Sequence, residues 1–173
     1  MPTESIIITG ASSGLGLAFI QHYASLPTPP SIIAIDNQPF SPHIAEQYGA
    51  VVHSNQIDIT SAQKIQDLAS TLTSGPISLI LHCAGIRGLV PRIVAEQKQG
   101  DKDVAATETL EAMDHATMMR TFEINTWGTL NVVKTFLWNL QLSADQSASK
   151  PKVVILSSRM GSISANTAGG GRR

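Results

Sequence analysis

Three glycines near the N-terminus have the spacing of a phosphate-binding turn. They follow a short apolar run in the segment Thr9-Gly10-Ala11-Ser12-Ser13-Gly14-Leu15-Gly16. A turn of this kind between a strand and a helix directs backbone N–H groups towards an anion, and glycine lets the chain turn tightly and approach the ligand. No lysine follows as in a P-loop, so a nucleotide triphosphatase is disfavoured. The spacing predicts that Gly10 permits the tight turn, that Gly14 lets the backbone approach the pyrophosphate of a dinucleotide, and that Gly16 lets the helix pack closely on the sheet. We therefore predict a cofactor site that includes Gly10, Ser12, Ser13, Gly14, Leu15 and Gly16.

A carboxylate at position 36 suits the same ligand. Asp36 follows the second apolar run, where it can accept hydrogen bonds from the ribose hydroxyls of adenosine and would repel a 2′-phosphate. Neither Ser12, Ser13 nor Asn37 supplies the positive charge that such a phosphate requires. We therefore predict NAD as the cofactor and disfavour NADP. Two alternatives to a cofactor site remain: the three glycines serve only the turn, and Asp36 is a solvated turn residue.

Strands and helices that would position these residues alternate along the chain. Short runs rich in isoleucine and valine predict strands at residues 5–8, 31–35, 50–53, 77–81 and 152–156. One predicted helix has an apolar face formed by Leu15, Ala18, Phe19 and Leu26. Another follows the cap candidates Thr60 and Ser61 and has a face formed by Ile65, Leu68, Ala69 and Leu72. The alternation predicts an α/β fold with a doubly wound parallel sheet of the Rossmann type in three layers.

The second half of the chain is helical before the last strand. Residues 110–142 predict two helices that meet near Asn125, with apolar faces supplied by Trp127, Leu130, Phe136, Leu137 and Leu140. Residues 86–107 combine proline, glycine and charged residues, which predicts a long exposed loop or lid. Residues 164–173 have no periodicity. Because no repeat or second domain is visible, we predict a single dinucleotide-binding domain over residues 1–173.

Composition excludes several other classes of function. The net charge is -1 and no basic stripe is present, so nucleic acid and anionic membranes are disfavoured as partners. Cys83 is the single cysteine, which rules out an internal disulfide and fits a reducing compartment. The five histidines are scattered without metal-ligand spacing, so we predict structural or solvated roles for them and no metal site. No signal peptide or membrane anchor is visible, and we expect a cytoplasmic location.

Taken together, these residues resemble the short-chain dehydrogenase/reductase family from about residue 5 to residue 162. The matching elements are Thr9-Gly10-x3-Gly14-x-Gly16, Asp58 after the third strand, Cys83-Ala84-Gly85 after the fourth, and Asn125 between the long helices. The resemblance implies that Asp58 and Ile59 approach the adenine and that Ala84 and Gly85 pass close to the cofactor ribose. Cys83 stands where the family usually has an asparagine that helps to hold the central sheet.

The resemblance also implies hydride transfer between nicotinamide and a carbonyl or alcohol carbon of a small-molecule substrate. In the family, a tyrosine exchanges the proton, a nearby lysine lowers the pKa of that tyrosine, a serine binds the substrate oxygen, and an asparagine steadies a water relay. Ser158, after the fifth strand, matches the serine, and Asn125 matches the asparagine.

The Tyr-x3-Lys motif of the family has no counterpart in these 173 residues. The tyrosines are Tyr23 and Tyr48, on the first helix and before the third strand, and neither position suits the missing acid. We therefore expect a catalytically incomplete chain that lacks the C-terminal part of the family domain and its last strands. The exposed apolar sheet edge that results favours self-association or a homo-oligomer. The alternative function is a non-catalytic NAD-binding module that regulates or contacts a partner.

Overall fold

The computed structural model describes residues 4–72, 75–99, 110–147, 149–158, 162 and 164. The strands are β1 (Ser5–Thr9), β2 (Ser31–Asp36), β3 (Val52–Gln56), β4 (Ile77–His82) and β5 (Lys152–Ile155). The helices are α1 (Gly14–Ala24), α2 (Pro42–Tyr48), α3 (Ala62–Thr71), α4 (Pro91–Gln99), α5 (His115–Phe122), a π-helical segment (Glu123–Gly128), α6 (Thr129–Thr135) and α7 (Leu137–Gln146). All five predicted strands are confirmed, with boundaries shifted by at most three residues.

The strands form one parallel sheet in the order β3-β2-β1-β4-β5. The chain runs outward from β1 to β3 and then crosses over to β4, so β1 and β4 flank the point at which the winding direction reverses. In open α/β sheets, ligands bind at the carboxyl ends of the strands beside that point. Thr9, at the end of β1, pairs with Ile35 on one side and His82 on the other. The predicted Rossmann-type sheet is confirmed.

Both faces of the sheet are covered, which explains the continuous apolar runs in the strands. Because side chains alternate across a strand, the isoleucines of β1 divide between two cores. Ile7 belongs to one core with residues of α3, α6 and α7, whereas Ile6 and Ile8 belong to the other with residues of α1 and α2. Packing in these two cores fixes the positions of the strand ends, where the candidate site lies.

Residue contacts divide the chain into two compact units. The first comprises Met1–Gly85 and Ile124–Leu156 and contains the sheet and both cores. The second comprises Ile86–Glu123 and Ser157–Arg173. The single domain over residues 1–173 stays a prediction. No helix in the described part of the chain is both long and apolar enough to span a membrane.

The helix predictions need three corrections. In α1 the buried residues are Gly16 and Ile20, while Leu15 is 63% exposed, because the helix turns its small residue and not Leu15 towards the protein. Residues 42–48 form a helix that the sequence analysis missed, although Ser41 and Pro42 are typical of a helix start. Residues 91–99 are helical where a long loop was expected. Residues 100–107 of that expected loop lie outside the described residues.

The apolar faces of the last helices were only partly predicted. Phe136 and Leu140 are buried in the core, as expected. Trp127, Leu130 and Leu137 are instead 37%, 55% and 50% exposed. The face of α3 was predicted correctly, since Ile65 is buried and Leu68, Ala69 and Leu72 pack against the same core. Ser61 caps α3 and accepts a hydrogen bond from the Lys64 amide.

Candidate functional site

The turn after β1 is shaped by two glycines in the left-handed region. Gly10 has φ +63° and Gly14 has φ +52°. A Cβ added at Gly10 would lie 2.8 Å from the Ala84 nitrogen, closer than real contacts allow, whereas a Cβ at Gly14 would meet nothing within 4 Å. Gly10 therefore permits the close approach of β1 to the chain after β4. Gly14 provides backbone with open space beside it, as a bound phosphate requires.

The N-terminus of α1 is pressed against the same turn. A Cβ at Gly16 would overlap the Gly10 carbonyl oxygen, so the third glycine lets the helix pack on the turn itself. The glycine spacing predicts close packing of the helix at Gly16, and the structure places that contact at the turn. α1 begins at Gly14, and the side chain of its N-cap, Ser13, makes no capping hydrogen bond. A helix start of this kind presents backbone donors and a partial positive charge to an anion. Ser13 and Leu15 are exposed and Ser12 is half-buried.

The Asp36 carboxylate holds the glycine turn in place. Its Oδ2 accepts a hydrogen bond from the Ser12 amide at 2.9 Å, and its Oδ1 accepts one from the Gln38 amide at 2.9 Å. Asp36 is only 9% exposed and lies at the end of β2. The sequence predicts Asp36 as a ribose ligand but gives no sign of this link to Ser12. A carboxylate has about four acceptor positions, so these two bonds leave capacity for ribose hydroxyls.

Asp58 and Ile59 form a turn after β3. Asp58 Oδ1 accepts hydrogen bonds from the Thr60 amide at 2.9 Å and from the Thr60 hydroxyl at 2.8 Å. The Ile59 side chain is 5% exposed and belongs to the core, so Ile59 can present only its backbone to a ligand.

A buried histidine connects the ends of β1 and β4 to α6. His82 Nδ1 lies 3.0 Å from the Thr9 hydroxyl, and Nε2 lies 3.0 Å from the Thr129 hydroxyl. Thr129 donates its one hydroxyl hydrogen to the Asn125 carbonyl oxygen at 2.8 Å, so it must accept from Nε2–H. The neutral ring then accepts from Thr9, whose oxygen also accepts from the Ala84 amide at 3.2 Å. Burial lowers the pKa of His82 to about 4, which keeps the ring neutral.

Asn125 lies where the helical hydrogen-bond pattern changes. It is an exposed residue of the π-helical segment, a local widening that often occurs at functional sites. A Cβ added at Gly85 would lie 3.2 Å from Asn125 Oδ1, so the absence of a side chain at Gly85 gives Asn125 its room. The structure thus brings Ala84, Gly85 and Asn125 to the end of β4, beside the glycine turn.

The sequence pattern also singled out Ser158 and Cys83. Ser158 is exposed and belongs to the second unit, so its catalytic role stays a prediction. Cys83 is half-buried against the core that contains Ile6 and Ile8, and burial raises the pKa of its thiol. It behaves as a small packed residue, as expected. No cluster of histidine, cysteine or carboxylate side chains suited to a metal occurs among the residues that the structure describes.

Comparison with known proteins assigns the family. The sequence model described as short chain dehydrogenase matches residues 4–169. The chain belongs to the short-chain dehydrogenase family. A curated relative, the C-signal protein of Myxococcus xanthus, is 33% identical over 102 residues, which are 59% of this chain and 48% of that protein. The chain thus spans about half the length of this relative.

Solved structures of two reductases share the fold. NADPH-bound carbonyl reductase from chicken fatty liver superimposes with a TM-score of 0.73 at 23% identity, covering 95% of this chain and 63% of the other. An NADH-dependent reductase of alginate metabolism, solved in complex with NAD, gives a TM-score of 0.67 at 21% identity, covering 88% and 58%. At these identities the likeness establishes the fold, and the two structures hold different nicotinamide cofactors.

The two positive-φ glycines should tolerate alanine differently. Gly14→Ala should lower the free energy of unfolding by about 1 kcal/mol, because only the left-handed conformation is penalised. Gly10→Ala should cost roughly 3 kcal/mol, because the new methyl group also forces the backbone at Ala84 away. Urea unfolding of both variants measures the difference. Equal costs for the two would contradict the close approach described above.

The buried imidazole should make the stability of the protein fall in mild acid. Between pH 6.5 and about 4 the unfolded chain binds a proton at His82 that the folded chain refuses, so the free energy of unfolding falls as the pH falls, by up to about 3 kcal/mol, and the His82 contribution levels off below pH 4. Urea unfolding at several pH values measures the slope. His82→Gln keeps an acceptor and a donor without titrating, and its slope should be smaller. The same slope in both proteins would refute the assignment.

Proposed function

We propose that this chain is the cofactor-binding part of an NAD(H)-dependent oxidoreductase that acts on a carbonyl or alcohol substrate. The observation that carries the proposal is the turn at the end of β1. There a left-handed Gly14 with open space beside it, an α1 N-terminus and the Asp36 carboxylate lie together at the carboxyl ends of β1 and β2. This arrangement provides donors for a pyrophosphate and acceptors for a ribose within one connected segment.

The residues of the site fit a dinucleotide. Backbone N–H groups from Gly10 to Gly16 would hold the pyrophosphate, with the exposed Ser13 and Leu15 at its border and Ser12 held by Asp36. Asp58 and the Ile59 backbone would face the adenine. The backbone at Ala84 and Gly85 would lie along the second ribose.

We propose NAD as the preferred cofactor. The Asp36 carboxylate is fixed by the amides of Ser12 and Gln38, so it cannot swing away from a 2′-phosphate without breaking those bonds. A fixed, largely buried negative charge would repel that phosphate more strongly than a flexible surface carboxylate would. The solved structures of similar fold include one with NADPH and one with NAD, so we infer the preference for NAD from Asp36 and not from these structures.

The chemistry would be a hydride transfer. The nicotinamide would supply or accept the hydride when bound, and the proton would be exchanged by the family's Tyr-x3-Lys pair, which these 173 residues do not include. In this chain we assign Ser158 to a hydrogen bond with the substrate oxygen and Asn125 to the steadying of a bound water. The Asn125 carbonyl is itself held by Thr129, which fixes its direction. The substrate, a homo-oligomeric or self-associated state and the cytoplasmic location belong to the same proposal.

The preference for NAD should depend on the charge at position 36. Isothermal titration calorimetry should detect NADH binding that is tighter than NADPH binding. Asp36→Asn removes the charge while keeping an acceptor for one backbone amide. It should lower the ratio of the NADH affinity to the NADPH affinity by about tenfold, or about 1.4 kcal/mol.

Asp67→Asn is the matched control, since Asp67 is an exposed carboxylate of α3 that hydrogen-bonds Gln63. It should leave both affinities unchanged. Absence of binding by the unaltered chain would contradict the cofactor proposal, and tighter NADPH binding would contradict the role of Asp36.

A further inference from the structure

The helical segment after Asn125 donates two long-range hydrogen bonds to the turn at the end of β3. The indole N–H of Trp127 donates to the Thr60 carbonyl at 2.9 Å, and the side-chain amide of Asn131 donates to the Ile59 carbonyl at 2.8 Å. Trp127 and Asn131 are separated by one helical turn, so they present their donors on the same side. Two consecutive carbonyls of the turn are therefore fixed from outside it.

The two donors differ in their surroundings in a way that separates their effects. Asn131 is 2% exposed, so its bond to Ile59 satisfies polar groups that are shielded from water. Trp127 is 37% exposed, and its ring lies 5.7 Å from the Lys134 ammonium. Loss of the indole N–H therefore removes one hydrogen bond without opening the core. Neither residue was singled out as functional by the sequence pattern.

We propose that Trp127 and Asn131 are positioning residues that fix the Asp58 carboxylate for recognition of the base of a nucleotide cofactor. The inference rests on the proposed function, in which Asp58 faces the adenine. Asp58 Oδ1 is bound to the amide and the hydroxyl of Thr60, and Thr60 is in turn held by Trp127. The orientation of the carboxylate is thus set through Thr60 by a side chain 67 residues further along the chain.

The chemistry of the base supplies a selective readout. Adenine carries an amino group that donates to a carboxylate, whereas hypoxanthine carries a carbonyl oxygen at the same position, which a carboxylate repels. A firmly held Asp58 distinguishes the two bases. A loosened turn lets the carboxylate move away from the carbonyl oxygen and weakens its bond to the amino group. The ratio of the two affinities therefore reports the position of Asp58, whereas overall stability does not.

Trp127→Phe tests the inference. It removes the indole donor and keeps an aromatic ring beside Lys134. The affinities of NADH and of its hypoxanthine analogue, reduced nicotinamide hypoxanthine dinucleotide, are measured by calorimetry on the 173-residue chain. We expect the preference for NADH to fall by about fivefold, the effect of one ordinary hydrogen bond. Trp138→Phe is the matched control, because Trp138 is the other tryptophan and is 61% exposed, and it should leave the preference unchanged.

A pair of buried asparagines provides a second comparison. Asn139 is 3% exposed and donates to the carbonyls of Leu72 and Gly75, beyond the other end of α3. Asn131→Ala and Asn139→Ala should both lower the thermal unfolding temperature. Only Asn131→Ala should narrow the preference for NADH, because only Asn131 contacts the turn that bears Asp58.

The outcomes separate the inference from the proposed function. If Trp127→Phe and the unaltered chain bind both dinucleotides with the same ratio of affinities, the positioning role is overturned and the proposed function is not. An equal narrowing in Trp138→Phe, or in Asn139→Ala, would overturn it as well, since the effect would then be one of general stability. Failure of the unaltered chain to bind either dinucleotide would overturn the proposed function, and the inference with it.

Discussion

The backbone of the turn after β1 passes so close to the chain that leaves β4 that a single methyl group at Gly10 would collide with Ala84. Much of the candidate site depends on this contact. It brings the glycine turn, which follows β1, next to Ala84 and Gly85, which follow β4, at the point where the sheet reverses its winding. The Thr9 hydroxyl stabilises this contact by accepting a hydrogen bond from the Ala84 amide. Through His82, further hydrogen bonds connect Thr9 to Thr129 and Asn125.

Hydrogen bonds of buried polar side chains hold the other parts of the candidate site. Among the residues that the structure describes, no buried side-chain nitrogen or oxygen lacks a hydrogen-bond partner. Asp36 holds Ser12 and Gln38, His82 joins two threonines, and Asn131 holds Ile59. An unmade bond in such surroundings is costly, so each link restricts the geometry of the next. The strand ends and loops that face the ligand are thereby held without the ligand.

The sequence predicted what depends on local pattern and missed what depends on distant partners. Apolar runs located all five strands because both faces of a parallel sheet are buried, and glycine spacing located the turn. Leu15 was wrongly assigned to a buried face because hydrophobic periodicity counts apolar side chains, whereas the glycine spacing had indicated close packing at Gly16. The links from Asp36 to Ser12 and from Trp127 to Thr60 join residues 24 and 67 positions apart, and no local signal indicates such pairs. His82 was treated as one of five scattered histidines, since its burial arises only when β1, β4 and α6 come together.

The central claim is that the carboxyl ends of the strands beside the β1–β4 crossover form a dinucleotide site. It is tested most directly by following backbone amide resonances during titration of the chain with NADH. The largest shifts should occur in residues 10–16 and at Asp36, Asp58, Ala84 and Gly85, and they should saturate together. Saturating shifts confined to other surfaces of the sheet, or an unchanged spectrum at millimolar NADH, would contradict it.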